Sequence, residues 1–311
     1  MTRPAAPAPG PARGAVVAGV ASYLIWGLLP IYLAFAARAG AGSLEIMAHR
    51  ALWSTPWAAA IVLASGQARH TLAVLKAPRT LGWLALSAAL IAANWLLFIW
   101  SVTNGHALEA SLGYYINPLV NMALGAVLFR ERLNVLAKAA IAFAAAGVVV
   151  QTIALGQLPL VSLALALTFT GYGLIRKQVA AEAQTGLLVE CLLLAPLALG
   201  LVLWLQASGA GHFLASPTAF WLLLAAGPMT VLPLALFAWS ARRLPLSAVG
   251  FLQFIGPSLQ FVFGVETGEH LTMLSVAAFG LIWIGAGLFV FGALRAARRA
   301  RPSLNQPPKL A

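Results

Sequence analysis

Residues 94–125 read NWLLFIWSVTNGHALEASLGYYINPLVNMALG, and residues 233–264 read PLALFAWSARRLPLSAVGFLQFIGPSLQFVFG. Superimposed at an offset of 139, the two stretches share a register: Trp100-Ser101 meets Trp239-Ser240, Asn117-Pro118 meets Gly256-Pro257, and Gly125 meets Gly264. Asn94 then falls on Pro233, Tyr114 on Gln253 and Asn121 on Gln260. The likeness reaches further back in each half. Trp26-Gly27 resembles Tyr172-Gly173, while Arg50 and Pro56 align with Glu190 and Pro196 at an offset of 140. The chain therefore reads as a duplicated unit, and the number of elements in that unit decides the architecture.

Of the 311 residues, 61% are hydrophobic and 8% charged, with a mean hydropathy of +0.91. An ordinary soluble domain carries about 25% charged residues. A soluble globular protein, a disordered chain and a disulfide scaffold are thereby excluded. A hydrocarbon core ~30 Å thick needs about 20 apolar residues in a helix. Ten such stretches occur, near 14–36, 45–65, 80–101, 107–129, 133–152, 158–176, 186–206, 218–240, 246–265 and 271–294. Ten spans make two units of five. Five is odd, so the second unit enters the bilayer upside down, which predicts an inverted repeat about an axis in the membrane plane. The expected organisation is a disordered Pro- and Ala-rich tail over 1–13, a first five-helix repeat over 14–152, a second over 158–294 and a basic tail over 295–311. No loop is long enough for a folded soluble domain, so function must lie in the membrane or at its faces.

The net charge is +12, all seven acids are glutamate, and aspartate is absent. Seventeen of the 19 cations fall on one set of alternate loops, tails and helix ends; the other set holds Arg38 alone, and Arg50 lies inside a span. Positive charge marks the cytoplasmic side. Both termini are expected there, and membrane topology accounts for the basic excess without nucleic acid. The first apolar stretch exceeds the 7–15 residues of a signal sequence and reads as a retained helix. Cys191 is the sole cysteine, which closes disulfide and zinc-cluster readings. His49, His70, His106, His212 and His270 are scattered, and no Walker loop is present; these features argue against an ATP-driven pump and against an enzyme, and no cofactor is expected. A channel lacks its rings of charge. A membrane receptor or sensor, or a membrane enzyme, stays open as the alternative to a transporter. A homodimer contact would fall on the fifth and tenth helices, although no motif argues for it.

Four blocks carry a family resemblance: Tyr23-Leu24-Ile25-Trp26-Gly27-Leu28-Leu29-Pro30, Leu44-Glu45-Ile46-Met47-Ala48-His49-Arg50, Asn94-Trp95-Leu96-Leu97-Phe98-Ile99-Trp100-Ser101, and Gly113-Tyr114-Tyr115-Ile116-Asn117-Pro118. In these the chain resembles the drug/metabolite transporter superfamily, specifically EamA-type transporters of the RarD subfamily. The resemblance implies ten helices as two inverted five-helix repeats in a bacterial cytoplasmic membrane. It also implies export or exchange of small metabolites or drugs.

The residues themselves nominate a site. Arg50 is the one cation in a span that the basic face does not claim, and an arginine there is costly. Glu45 and His49 share a helix face, whereas Arg50 points elsewhere. Its expected counterpart is Glu109 or an anionic group of the substrate. Tyr114, Asn117 and Asn121 form a polar stripe mirrored by Gln253 and Gln260. Buried amides need partners, so this face should look inward, either to bind substrate or to join helices. Tyr23, Trp26 and Tyr172 suit an aromatic wall, near Gly27 and Pro30 where the first helix can bend. Asn94 and His49 complete the substrate-binding candidates. Glu190 reads as an ion-coupling carboxylate or as the partner of Arg176 or Lys177. Prolines 30, 56, 118, 196, 228, 233 and 257 fall inside spans and suggest hinges.

Overall fold

The computed structural model describes residues 13–128, 134–241, 243–244 and 252–299. Among these the chain is all helix: α1 (Arg13–Arg38), α2 (Ser43–Ala64), α3 (Ala68–Leu75), α4 (Pro78–Thr103), α5 (Ala107–Leu128), α6 (Val135–Leu155), α7 (Leu160–Gln178), α8 (Ala183–Ala207), α9 (Pro217–Ala241), α10 (Ile255–Glu266) and α11 (Met273–Arg299). Every predicted apolar stretch carries a helix. The extra one is α3, a single amphipathic segment that tucks Thr71 and Val74 inward. Six helices (α1, α4, α6, α8, α9 and α11) are long and apolar enough to cross a membrane. The molecule is a polytopic helical membrane protein, and its surface agrees: Leu197, Leu203, Trp204 and Trp221 are each more than half exposed. Such a belt is a liability in water and a natural contact for lipid.

Local chemistry sets the helix ends. Pro78 opens α4 in its first turn, where its missing N–H is one of the unpaired donors anyway. Asn134 caps α6 by accepting from the Ala137 N–H at 2.8 Å, and Gly156 ends it with φ 67°, a left-handed conformation that favours glycine. Pro257 lies in the first turn of α10, just after the turn at Gln253-Phe254 that separates this helix from Leu252. The last helix runs to Arg299, five residues into the predicted basic tail; Ala293-Leu294-Arg295-Ala296-Ala297 are strong helix formers with nothing to stop them. The predicted N-terminal tail and the end of the basic tail lie outside the described residues, and so does the side chain of Asn121.

Hydrogen bonds join like ends of neighbouring helices. Ser240 at the end of α9 donates to the Ala15 carbonyl at the start of α1 (2.8 Å). The Thr71 and Thr185 hydroxyls meet at 3.2 Å, and those of Ser43 and Thr103 at 2.9 Å. Successive long helices therefore alternate in direction. One end of the bundle holds Arg13, Arg69, Lys76, Arg79, Arg176 and Arg243. The opposite end holds Arg38, Glu45, Glu109, Glu266 and Glu269.

The packing has a regularity. Helix α1 packs on α9 and α10, as α7 packs on α4 and α5; α2 packs on α9, as α8 packs on α4; and the pairs α2–α8, α5–α10 and α6–α11 close the set. Exchanging α1, α2, α4, α5 and α6 for α7, α8, α9, α10 and α11 maps these contacts onto themselves. Near the acidic end, Leu33, Ile46, Ile99, Leu165 and Leu223, all essentially inaccessible, form one apolar cluster contributed by five helices.

Candidate functional site

Below that cluster lies a cavity of about 660 Å³, lined by α1, α2, α4, α5, α7, α8, α9 and α10. Its volume is that of a small-molecule pocket. It runs from Leu29, Arg50 and Phe98 to Ala183 and Gln184 at the basic end, where Ala183 is exposed. Both halves of the chain build it, and the repeat register runs through its wall. Trp95 and Leu234, Phe98 and Phe237, Tyr114 and Gln253, and Asn117 and Gly256 all line it at spacings of 139, and Arg50 and Glu190 at 140.

Of the residues the sequence nominated, Tyr23, Trp26, Arg50, Asn94, Tyr114, Asn117, Tyr172, Glu190, Gln253 and Gln260 line the cavity. His49 does not. It is buried on another face of α2, stacked on Phe213 with ring centres 4.5 Å apart, and its Nδ1 accepts from Trp53 Nε1 at 3.0 Å. The five-residue step from Glu45 sends Arg50 inward and leaves His49 on the side of Glu45, as helical geometry requires.

The polar stripe is largely engaged in joining helices. Asn94 Nδ2 donates to the Leu165 carbonyl at 2.9 Å and to Thr168 Oγ1 at 3.0 Å, and its Oδ1 accepts from the Tyr114 hydroxyl at 3.0 Å. Asn117 Oδ1 accepts from Thr170 Oγ1 at 2.8 Å. Gln260 is less satisfied: its Nε2 reaches the Trp26 carbonyl at 3.4 Å, and its buried Oε1 has no partner among the described residues.

The charged groups divide into a paired cluster and a lone cation. Arg176 Nε lies 3.7 Å from Glu190 Oε1, and Ser87 Oγ donates to the same oxygen at 2.5 Å. Tyr172 stands beside both. The sequence placed Arg176 on the basic face; the structure turns it into the cavity. Gly186 makes this possible, because a Cβ there would collide with the guanidinium. Among the described residues Arg50 has no such partner. Glu109, the expected one, is 2.9 Å from His106 Nδ1, and Glu45 holds the backbone N–H groups of His212 and Phe213 at 2.5 and 3.2 Å. The Arg50 guanidinium instead lies 4.4 Å from the centre of the Trp95 ring. It is 6% exposed, and its Nε and Nη1 donate to nothing among the described residues.

Aromatic rings form two walls. Tyr23, Trp26 and Phe237 cluster with ring centres 5.3–6.0 Å apart. In a second group Phe98, Tyr114, Phe169 and Tyr172 follow one another at 5.6–6.1 Å. Trp95, Phe98, Phe169 and Phe237 had not been singled out, since an aromatic in an apolar run carries no polar signal. The repeat could have found three of them: Phe98 and Phe237 share the 139 offset, and Phe169 falls on Tyr23 at 146, as Tyr172 does on Trp26; Trp95 falls on Leu234 and has no aromatic mate.

A helical membrane protein whose two halves together line a small-molecule pocket fits a transporter, and comparison with known proteins agrees that it is one. The model of the EamA-like transporter family matches residues 13–153. An uncharacterized transporter of Pseudomonas aeruginosa, PA0485, is 43% identical over 290 residues, covering 92% of this chain and 96% of the relative. The protein RarD of Escherichia coli is 40% identical over 289 residues, with 92% and 97% covered. A second Pseudomonas aeruginosa relative, named chloramphenicol-sensitive protein RarD, is 32% identical over 262 residues, with 83% and 87% covered. One solved crystal structure matches with a TM-score of 0.57 over 91% of this chain and 99% of its own, at 20% identity, a likeness of fold alone. The chain belongs to the EamA-like transporter family, among its RarD-type members.

Proposed function

We propose that this protein is a secondary-active transporter of small metabolites or drugs, working by alternating access between two inverted five-helix repeats. All ten long helices span a bacterial inner membrane, with both termini in the cytoplasm, and the net direction is export or exchange. The observation that carries the reading is the cavity. It is built by both halves, lies between an apolar cluster at the acidic end and an opening at the basic end, and is lined at matching positions of the repeat. The self-mapping helix contacts support inverted repeats. The charge asymmetry supports a cytoplasmic opening. The name of one relative mentions chloramphenicol sensitivity; that is a property of that protein and does not make the drug the cargo here.

A receptor or membrane enzyme needs only one route to its site, whereas a carrier needs two. Ala235 lines the cavity, and Cys191 is the sole native cysteine. In a Cys191→Ser background, Ala235→Cys should react with a membrane-impermeant thiol reagent added to either face of oriented vesicles, faster from the cytoplasmic face. Reaction from one face only, under every condition of solute and gradient, would rule out alternating access.

A further inference from the structure

We infer that the cavity selects organic monoanions: a carboxylate held by Arg50, with an aromatic body lying between the two ring walls. This rests on the transporter reading and adds the charge class of the cargo. Three charged side chains line the cavity, Arg50, Arg176 and Glu190, giving a net +1 among the described residues. Arg176 and Glu190 answer each other. Arg176 keeps one buried nitrogen, Nη1, without a partner but has the Glu190 carboxylate beside it, so the surplus sits on Arg50, whose Nε and Nη1 are both unpartnered among the described residues. Burying an arginine without an anion costs several kcal/mol, and a cation–π contact with Trp95 offsets only part of that. The phenols of Tyr114 and Tyr32 stand near Arg50, and both give their protons elsewhere, Tyr114 to Asn94 and Tyr32 to the Leu222 carbonyl at 2.7 Å. Among the described residues no carboxylate answers Arg50, since Glu109, Glu190 and Glu45 are each paired elsewhere.

The same count argues against a zwitterion or a cation. An ammonium would find aromatic faces here but no unpaired carboxylate among the described lining residues, since Glu190 already has Arg176 and the Ser87 hydroxyl, and it would meet the charge of Arg50. The body is argued from the walls. Tyr23, Trp26 and Phe237 form one ring cluster of the lining and Phe98, Phe169 and Tyr172 belong to a second, and edge and face contacts with such rings favour a flat apolar group.

Phenylacetate, phenylacetamide, phenethylamine and phenylalanine share a body and differ in charge. Quenching of tryptophan fluorescence in the purified full chain should report binding, because Trp26 and Trp95 line the cavity. Phenylacetate should bind about tenfold or more tighter than the other three, the scale of one charge-assisted hydrogen bond. Arg50→Gln should abolish that preference while unfolding no earlier than the native chain, since it removes an uncompensated charge. An equal response to the amide or the zwitterion, a preference that survives Arg50→Gln, or silence from all four overturns the inference. The four-probe comparison on the native chain stands even where the variant does not fold. Vesicle flux separates the two readings: Arg50-dependent binding without flux sinks the transporter, and flux of a neutral or cationic solute independent of Arg50 sinks the anion class alone.

Discussion

Asn94 joins three helices through one amide. Its Nδ2 holds α7 at Leu165 and Thr168, and its Oδ1 holds α5 through Tyr114. At 1% exposure, its amide is committed to these protein partners. Interhelical hydrogen bonds in membrane proteins average about 0.6 kcal/mol, and stranding a buried polar group costs about 1–3 kcal/mol. Asn94→Leu should therefore cost about 1–3 kcal/mol in detergent-denaturant titration. Combining it with Tyr114→Phe should cost less than the sum of the two single variants, because the second change removes a partner already orphaned. Strict additivity would show that the bond does not tie the helices. The sequence reads Tyr114, Asn117 and Asn121 as an inward stripe because the cost of burying amides is local and legible, and Tyr114 and Asn117 line the cavity. Which partner each takes depends on a neighbouring helix and is not legible. Arg50 shows the same limit: Glu109 stood at a plausible depth, and the turn before α5 gives it to His106 instead.

At the scale of elements, the helices were legible because length and hydropathy alone dictate them in a bilayer. How closely they approach was not, since it is set by where small residues meet a facing backbone. Helices α6 and α11, the fifth and tenth spans, pack on each other within one chain. A Cβ at Gly285 would lie 2.8 Å from the Ala140 carbonyl oxygen, and one at Gly147 would lie 2.6 Å from Ile282 Cγ1. Two residues further along α11, Gly287 has no atom within 4 Å of its hypothetical Cβ. Substituting alanine at each position separates packing from propensity. Gly285→Ala should lose about 1–3 kcal/mol by forcing the helices apart. Gly287→Ala should be neutral or gain up to about 1 kcal/mol, the helix-propensity difference. Similar losses at both positions would mean that backbone freedom rather than close approach decides. The amphipathic α3 escaped the sequence reading for a related reason: eight residues make too short a period to stand out between two apolar spans.

Across the whole molecule, the closed end is where a carrier must yield, and two glutamates clasp it. Glu45, at the start of α2, accepts from the backbone of His212 and Phe213 in the α8–α9 connection. Glu269, between α10 and α11, accepts from the Ala107 and Leu108 N–H groups at 2.5 and 2.8 Å, where the first turn of α5 presents unpaired donors and the positive end of its dipole. Each clasp joins segments 161 to 168 residues apart in sequence, and both flank the apolar cluster around Leu33 and Leu223. An interaction made in one conformation and broken in the other biases the equilibrium by its own free energy. A charge-assisted hydrogen bond contributes about 1.5–3 kcal/mol, so losing one clasp should raise the population open at the acidic end about 10- to 100-fold. Glu269→Gln, added to the Ala235→Cys reporter, should accordingly speed thiol modification from the acidic face and slow it from the basic face. Glu45→Gln should act in the same direction, and the pair should exceed either alone. An unchanged ratio of the two rates, with stability lowered, would make the glutamates loop anchors present in both states. The opening would then have to be resisted by the apolar cluster, and Leu33→Ala would be the variant to shift it.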